Sequence, residues 1–213
     1  VNGRMRILLV SPRSSVWNSR RHIHMGLGYL AGALLAADYK DVTLFDAEVE
    51  KDPISALLAR EQFDIVGVSS PTPLIYEAWE VATLAKAQGA ITILGGPHPT
   101  LMPEESMERP EVDLVVRGEA EETLVEIVRE IERQQGTASD WAATKGLSWR
   151  DASGRVIHNP VRPLRKEIEG IPWPAYHLFK IERYTNLQPL TDGLDPHARA
   201  YTLVTSRGCP YQC

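Results

Sequence analysis

The chain has 213 residues, with 23 Lys+Arg against 28 Asp+Glu for a net charge of −5, and it is 43% hydrophobic and 24% charged. At roughly 100–200 residues per domain, that is one α/β domain with an appendage rather than two full domains. The composition excludes several classes: residues 23–37, the longest uncharged stretch near the N-terminus, fall short of the ~18–20 apolar residues of a membrane span. The run at 7–10 is too short for a signal-peptide core, and no basic or aromatic-plus-basic block points to nucleic acid. A cytoplasmic protein without a membrane span is expected. In chain order, five nearly all-apolar strands are predicted at 7–10, 42–45, 65–69, 91–94 and 114–116, the composition of strands buried on both faces. Helices are predicted between them. The first, at about 26–37, carries Gly26, Gly28 and Gly32 with few polar groups, which predicts tight packing under a further cover. A short one follows Pro53, another runs from 74 to about 88 and stops at Gly89, and one short helix fits around 104–108. The last places Leu124, Ile127, Val128 and Ile131 at helical spacing behind an acidic first turn. Alternation of this kind builds a parallel sheet covered on both faces.

Beyond residue 135 the character changes. Residues 146–150 and 155–159 flank Asp151-Ala152-Ser153-Gly154 as a small hairpin. The proline-rich 160–195, centred on Ile171-Pro172-Trp173-Pro174-Ala175-Tyr176, reads as a connector wrapping a neighbour. Residues 201–205 resemble one more strand.

Ligands of open parallel sheets sit outside the carboxyl ends of the strands, near the point where strand order reverses. That nominates Ser69-Ser70-Pro71-Thr72-Pro73, Gly95-Gly96-Pro97-His98-Pro99-Thr100, Arg117-Gly118-Glu119-Ala120-Glu121, and the long loop from Ser11 to Met25 with Trp17, His22 and His24. Each has two readings. Paired glycines admit a ligand to bare backbone or end a strand in a turn; Ser70 and Thr72 bind a ligand or cap a helix. The histidines contact a ligand or are solvated, and Arg117 and Glu119 pair with each other or cap the helix after them. Gly26-Leu27-Gly28-Tyr29-Leu30-Ala31, with Asp46 ending the second strand, satisfies the glycine pattern of dinucleotide sites. That pattern works when the first glycine turns directly out of a strand, whereas about 15 residues separate Val10 from Gly26. Both cysteines, Cys209 and Cys213, fall in the last five residues as Cys-x-x-x-Cys. With no second pair this does not suit zinc, and it suits an iron–sulfur cluster that draws on further ligands.

Taken together these residues resemble the cobalamin-dependent radical S-adenosylmethionine enzymes, in which a cobalamin domain precedes a radical barrel. Ser206-Arg207-Gly208-Cys209-Pro210-Tyr211-Gln212-Cys213 matches the opening of that barrel's three-cysteine motif, ending before the third cysteine. Met25 to Ala31, Gly95 to Thr100, Val116 to Glu121 and the Ile171–Ala175 connector match the other blocks in order. The resemblance implies a five-stranded parallel, flavodoxin-like (Rossmann-like) cobalamin domain over 4–135, a linker with hairpin and connector over 136–200, and the truncated start of a radical barrel over 201–213. It implies Cys209 and Cys213 as ligands of a 4Fe-4S cluster that binds S-adenosylmethionine. It places Ser70, Thr72, Gly95, Gly96 and His98 along the cobalamin pocket, with Gly118 and Glu119 at its rim. A methyltransferase, a cyclase or another rearrangement enzyme is the implied activity, with no catalytic residue in this stretch, a substrate recognised by the barrel, and a protein electron donor. The Asp-x-His-x-x-Gly motif whose histidine ligates cobalt is absent around His22 and His24, which implies a cobalamin without a protein imidazole below it. Two other readings stand beside this one: a cofactor-free interaction module of the same fold, and a dinucleotide-binding oxidoreductase domain.

Overall fold

The computed structural model describes residues 5–13, 23–134, 141–165, 167–184 and 201–208. Five parallel strands, β1 (Ile7–Ser11), β2 (Val42–Asp46), β3 (Ile65–Ser69), β4 (Ile91–Gly95) and β5 (Leu114–Val116), lie in the order β2-β1-β3-β4-β5. This is the flavodoxin-type order, with its switch point between β1 and β3. The sheet has seven strands, not five. The expected hairpin, β6 (Leu147–Arg150) and β7 (Val156–His158), joins the edge of β5 with both its ladders antiparallel. Arg150 fixes it there, donating to the carbonyls of Val112 at 2.6 Å and Arg109 at 2.8 Å.

Side chains alternate across the sheet. Ile7, Leu9, Ile65, Ile93, Leu114 and Val116 face α1 (Met25–Ala36) and α6 (Glu121–Gln134), whose Leu27, Ala31, Leu34, Leu124, Ile127 and Val128 complete that core. Leu8, Val10, Val66, Val68, Leu94 and Val115 face the other way, onto α2 (Ile54–Arg60) and α3 (Ile75–Ala87). The stretch after β4 forms two short helices where one was expected, α4 (Pro97–Leu101) and α5 (Pro103–Met107). Proline at the first helical position has no N–H to leave unpaired, so Pro97 starts a helix rather than forbidding it.

The connector is the cover that the first helix needs. Ala175 donates its N–H to the Gly28 carbonyl at 2.9 Å. A Cβ on Gly28 would lie 3.1 Å from Pro174 Cβ, and one on Gly32 only 2.2 Å from the Trp173 carbonyl oxygen. Helix α1 is apolar all round because it is sandwiched between sheet and connector. Farther on, the Tyr184 hydroxyl donates to Asp46 at 2.8 Å, while Lys180 and Arg183 pair with Glu50 at 2.5 and 2.8 Å. At the far end of α1, Tyr39 donates to Glu132 of α6 at 3.0 Å; burial, then that bond, pushes its pKa up to about 12. Residues 201–207 form no strand: among the described residues no neighbouring strand offers a ladder, without which extended backbone stays solvated. Among the described residues no helix is long and apolar enough to cross a membrane.

Candidate functional site

The site lies where the α1/α6 face of the sheet reaches its carboxyl edge. Side chains pointing that way along β3 are Ile65, Gly67 and Ser69, and along β4 Ile91, Ile93 and Gly95. Isoleucine gives way to glycine and serine along β3 and to glycine along β4, so the layer thins toward the edge. What results is a slot of about 50 Å³ lined by Leu9, Gly67, Ser69, Ile93, Gly95, Gly96 and Val116 from the sheet side, and by Leu27, Leu30, Ala120 and Leu124 from above. Its walls are apolar apart from exposed backbone and the Ser69 hydroxyl. Glycine is required at its rim: Gly96 has φ +96°, and a Cβ there would sit 2.9 Å from Ser70 N and 3.0 Å from Ser69 Oγ.

Ser70, Thr72 and His98 form a separate polar knot beside the slot that ties the β3 and β4 loops together. Ser70 is fully buried; its N–H donates to the Gly95 carbonyl at 2.9 Å, its carbonyl accepts from His98 N at 3.1 Å, and its hydroxyl donates to the Pro71 carbonyl at 2.9 Å. His98, 4% exposed, sets Nδ1 3.2 Å from the Thr72 hydroxyl and Nε2 3.4 Å from Glu105. At 3.4 Å that last contact lacks hydrogen-bond alignment, leaving Nε2 buried with only a charge to face. Thr72 itself is exposed at the edge. The structure therefore brings Gly95 and Gly96 into the slot and sets Ser70, Thr72 and His98 against them from the side. Gly118, at φ +78°, donates to Thr100 Oγ1 at 3.0 Å on the same edge.

Other nominated residues have structural partners. His24 caps α1, its Nδ1 accepting from Leu27 N at 3.2 Å. Asp46, 3% exposed, is engaged by Tyr184, so it does not await a ribose. Arg117 neither pairs with Glu119 nor caps α6: it donates to the carbonyls of Leu147 and Asn159 and braces the hairpin, and burial lowers its pKa against the opposing charge of Glu104. Glu119 instead faces Arg207, 3.6 Å away, whose guanidinium also donates to Glu121 at 2.6 Å. Burial acts to lower the Arg207 pKa, and the two carboxylates outweigh it and raise it. His22, Trp17, Cys209 and Cys213 lie outside the described residues; among those described, no group of three His, Cys, Asp or Glu is placed to hold a metal ion. Gly67, and Leu124 of α6 as a wall of the slot, were not singled out as site residues from sequence, whereas Ser69, Leu27, Leu30 and Ala120 lie within the nominated blocks. The signal was there in the period-two series Ile-x-Gly-x-Ser, which puts Ser69 rather than Ser70 on the slot side.

The sequence profile of the B12 binding domain matches residues 20–128, half of the chain and all of the slot's lining except part of β1. This chain belongs to the B12-binding domain family. The B12-binding chain is 33% identical over 98% of its length to an uncharacterized methyltransferase, PH0819, of Pyrococcus horikoshii, and covers 44% of it. It is 30% identical over 88% of its length to the anaerobic magnesium-protoporphyrin IX monomethyl ester cyclase of Rubrivivax gelatinosus, covering 33% of that protein. It thus spans less than half of either relative. Its fold matches that of the cobalamin-dependent S-adenosylmethionine radical enzyme OxsB, with a TM-score of 0.66 at 23% identity over 80% of this chain and 24% of that one. A second match is the radical S-adenosylmethionine methyltransferase TsrM of Kitasatospora setae, with a TM-score of 0.59 at 23% identity over 74% of this chain and 30% of that one.

Proposed function

We propose that the chain is the cobalamin-binding region of a radical S-adenosylmethionine enzyme, a methyltransferase or a cyclase, and that the slot at Gly67, Ser69, Gly95 and Gly96 receives the cofactor's nucleotide tail. The observation that carries this is the thinning of one layer at the carboxyl edge of β3 and β4, in a chain whose family binds B12. The residues fit the group in character: an aromatic base prefers apolar walls, and bare backbone with one hydroxyl suits the ribose and phosphate beside it. At about 50 Å³ the slot admits the leading edge of a base. Leu30, only half-buried, is the lining side chain with most freedom to widen it. Thr72, Gly118 and Glu119 stand on the same edge, where the polar arms of a corrinoid would rest, while Ser70 and His98 hold the two loops in register. Bound there, cobalamin supplies a methyl carrier or an electron-transfer partner.

Cys209 and Cys213 are proposed ligands of a 4Fe-4S cluster completed by a third cysteine. S-adenosylmethionine, a small-molecule substrate bound by a barrel beyond this region, and a protein electron donor complete the proposed reaction, set in the cytoplasm. The test is titration of the chain with hydroxocobalamin and with cobinamide, which lacks the nucleotide tail, followed by the corrinoid absorption bands. Cobalamin should bind at least about tenfold more tightly, the factor that a further ~1.4 kcal/mol of tail contact gives. Absence of binding would sink the cofactor reading, and equal binding of both corrinoids would sink the slot.

A further inference from the structure

Three sequence blocks far apart along the chain meet at one side chain. The Arg207 guanidinium donates to Glu121 Oε1 at 2.6 Å, faces Glu119 at 3.6 Å and stacks over the Tyr29 ring, 4.8 Å from its centroid. The Arg207 side chain is 19% exposed, Glu121 15% and Glu119 28%, so the cluster is largely out of water and salt screens it less than a fully exposed pair. The same segment is seated at its other end by Tyr176, whose hydroxyl donates to the Thr202 carbonyl at 2.5 Å and whose ring meets Tyr201 edge-on at 5.6 Å. Among the described residues, 201–208 join no ladder. Contacts made by the side chains of Arg207, Tyr201 and Tyr176 therefore seat this segment on the domain.

We propose that Arg207 is a positioning residue: clamped by Glu121, Glu119 and Tyr29, it fixes the segment leading into the Cys-x-x-x-Cys motif against the B12-binding domain. Arg207 stands two residues before Cys209, and Glu119 and Glu121 directly follow the strand end that bears Gly118. One charge cluster thus joins the approach to the cysteines to the carboxyl edge of the sheet. Arginine suits this post better than lysine, because its plane stacks on a ring while its edge meets two carboxylates. That the clamp serves catalysis rests on the cobalamin and cluster reading above; the clamp itself does not.

The test is a distance measurement by pulsed electron resonance on the cofactor-free chain, with spin labels at Ser206→Cys and at Glu80→Cys, both exposed positions, and with Cys209 and Cys213 replaced by serine. The native chain should give one narrow distance distribution. Arg207→Ala and Glu121→Gln should each widen it about twofold. The exchanged pair Arg207→Glu with Glu121→Arg should narrow it again, a rescue that a residue needed only for packing would not show. An unchanged distribution in Arg207→Ala, or an exchanged pair as broad as Arg207→Glu alone, overturns the proposal. No cofactor enters this measurement, so a failed cobalamin titration and a failed clamp are separate results.

Discussion

Glycine in a helix interior is a cost of about 1 kcal/mol relative to alanine, and α1 carries Gly28 and Gly32 among its buried residues. Gly32→Ala should therefore stabilise the fold if helix propensity decided the matter. It should not, because the added methyl would stand 2.2 Å from the Trp173 carbonyl, a backbone atom that moves only with the whole connector. The expected result is a loss of about 1–3 kcal/mol in urea unfolding, typical of overpacking. An unfolding midpoint equal to or above the native one would show that the connector is not seated on this face. From sequence, Gly26 and Gly28 satisfy a dinucleotide glycine pattern, yet stand about 15 residues beyond Val10, which already told against it. What packs on Gly28 and Gly32 was not legible, because only the tertiary fold brings Trp173 and Pro174 to α1. Ser69 and Ser70 show the opposite case, in which strand periodicity alone assigns each hydroxyl to its side of the sheet.

Among the elements, all five parallel strands were legible because each is a nearly all-apolar run, and α6 because its polar and apolar faces separate cleanly. Helix α4 was hidden by Pro97 and Pro99, both within a first turn whose N–H groups have no intrahelical partner anyway. The hairpin was legible as a hairpin, yet not as part of the sheet, since its attachment joins a long-range ladder to β5 with long side chains reaching distant carbonyls. Asn159 is central to it. Its Nδ2 donates to the carbonyls of Trp141 and Thr144 at 2.6 and 2.7 Å, and its Oδ1 accepts from Trp149 Nε1 at 3.1 Å, in a site only 5% exposed. Asn159→Ala would strand one donor and two acceptors, at a cost of about 2–4 kcal/mol. Because the hairpin lies at the sheet's edge, it should open first, seen as a red shift of Trp149 emission at urea concentrations below the main transition. A single transition at the native midpoint would mean that the hairpin is held by its ladders alone.

For the molecule as a whole, the thinning at the carboxyl edge sets packing against ligand capacity. A close-packed interior would fill a slot beside Gly67 and Gly95, and a void of about 50 Å³ corresponds to roughly 1 kcal/mol of forgone stability. Gly95 and its neighbour Gly96 separate the two demands. A Cβ on Gly95 would meet nothing closer than the Val116 carbonyl oxygen at 3.7 Å, ordinary contact, and its backbone is not in the left-handed region. Gly95→Ala should accordingly raise stability by about 0.5–1 kcal/mol, the usual gain on replacing a strand glycine. The same methyl narrows the slot, so the preference for cobalamin over cobinamide should shrink. Gly96→Ala, at φ +96° and with backbone 2.9 Å away, should instead lose about 1–3 kcal/mol. Urea unfolding and corrinoid titration of the two variants decide the matter together. Should Gly95→Ala gain stability and keep the full preference for the tail, the slot is a packing fault rather than a binding site, and the tail must be sought elsewhere along the same edge.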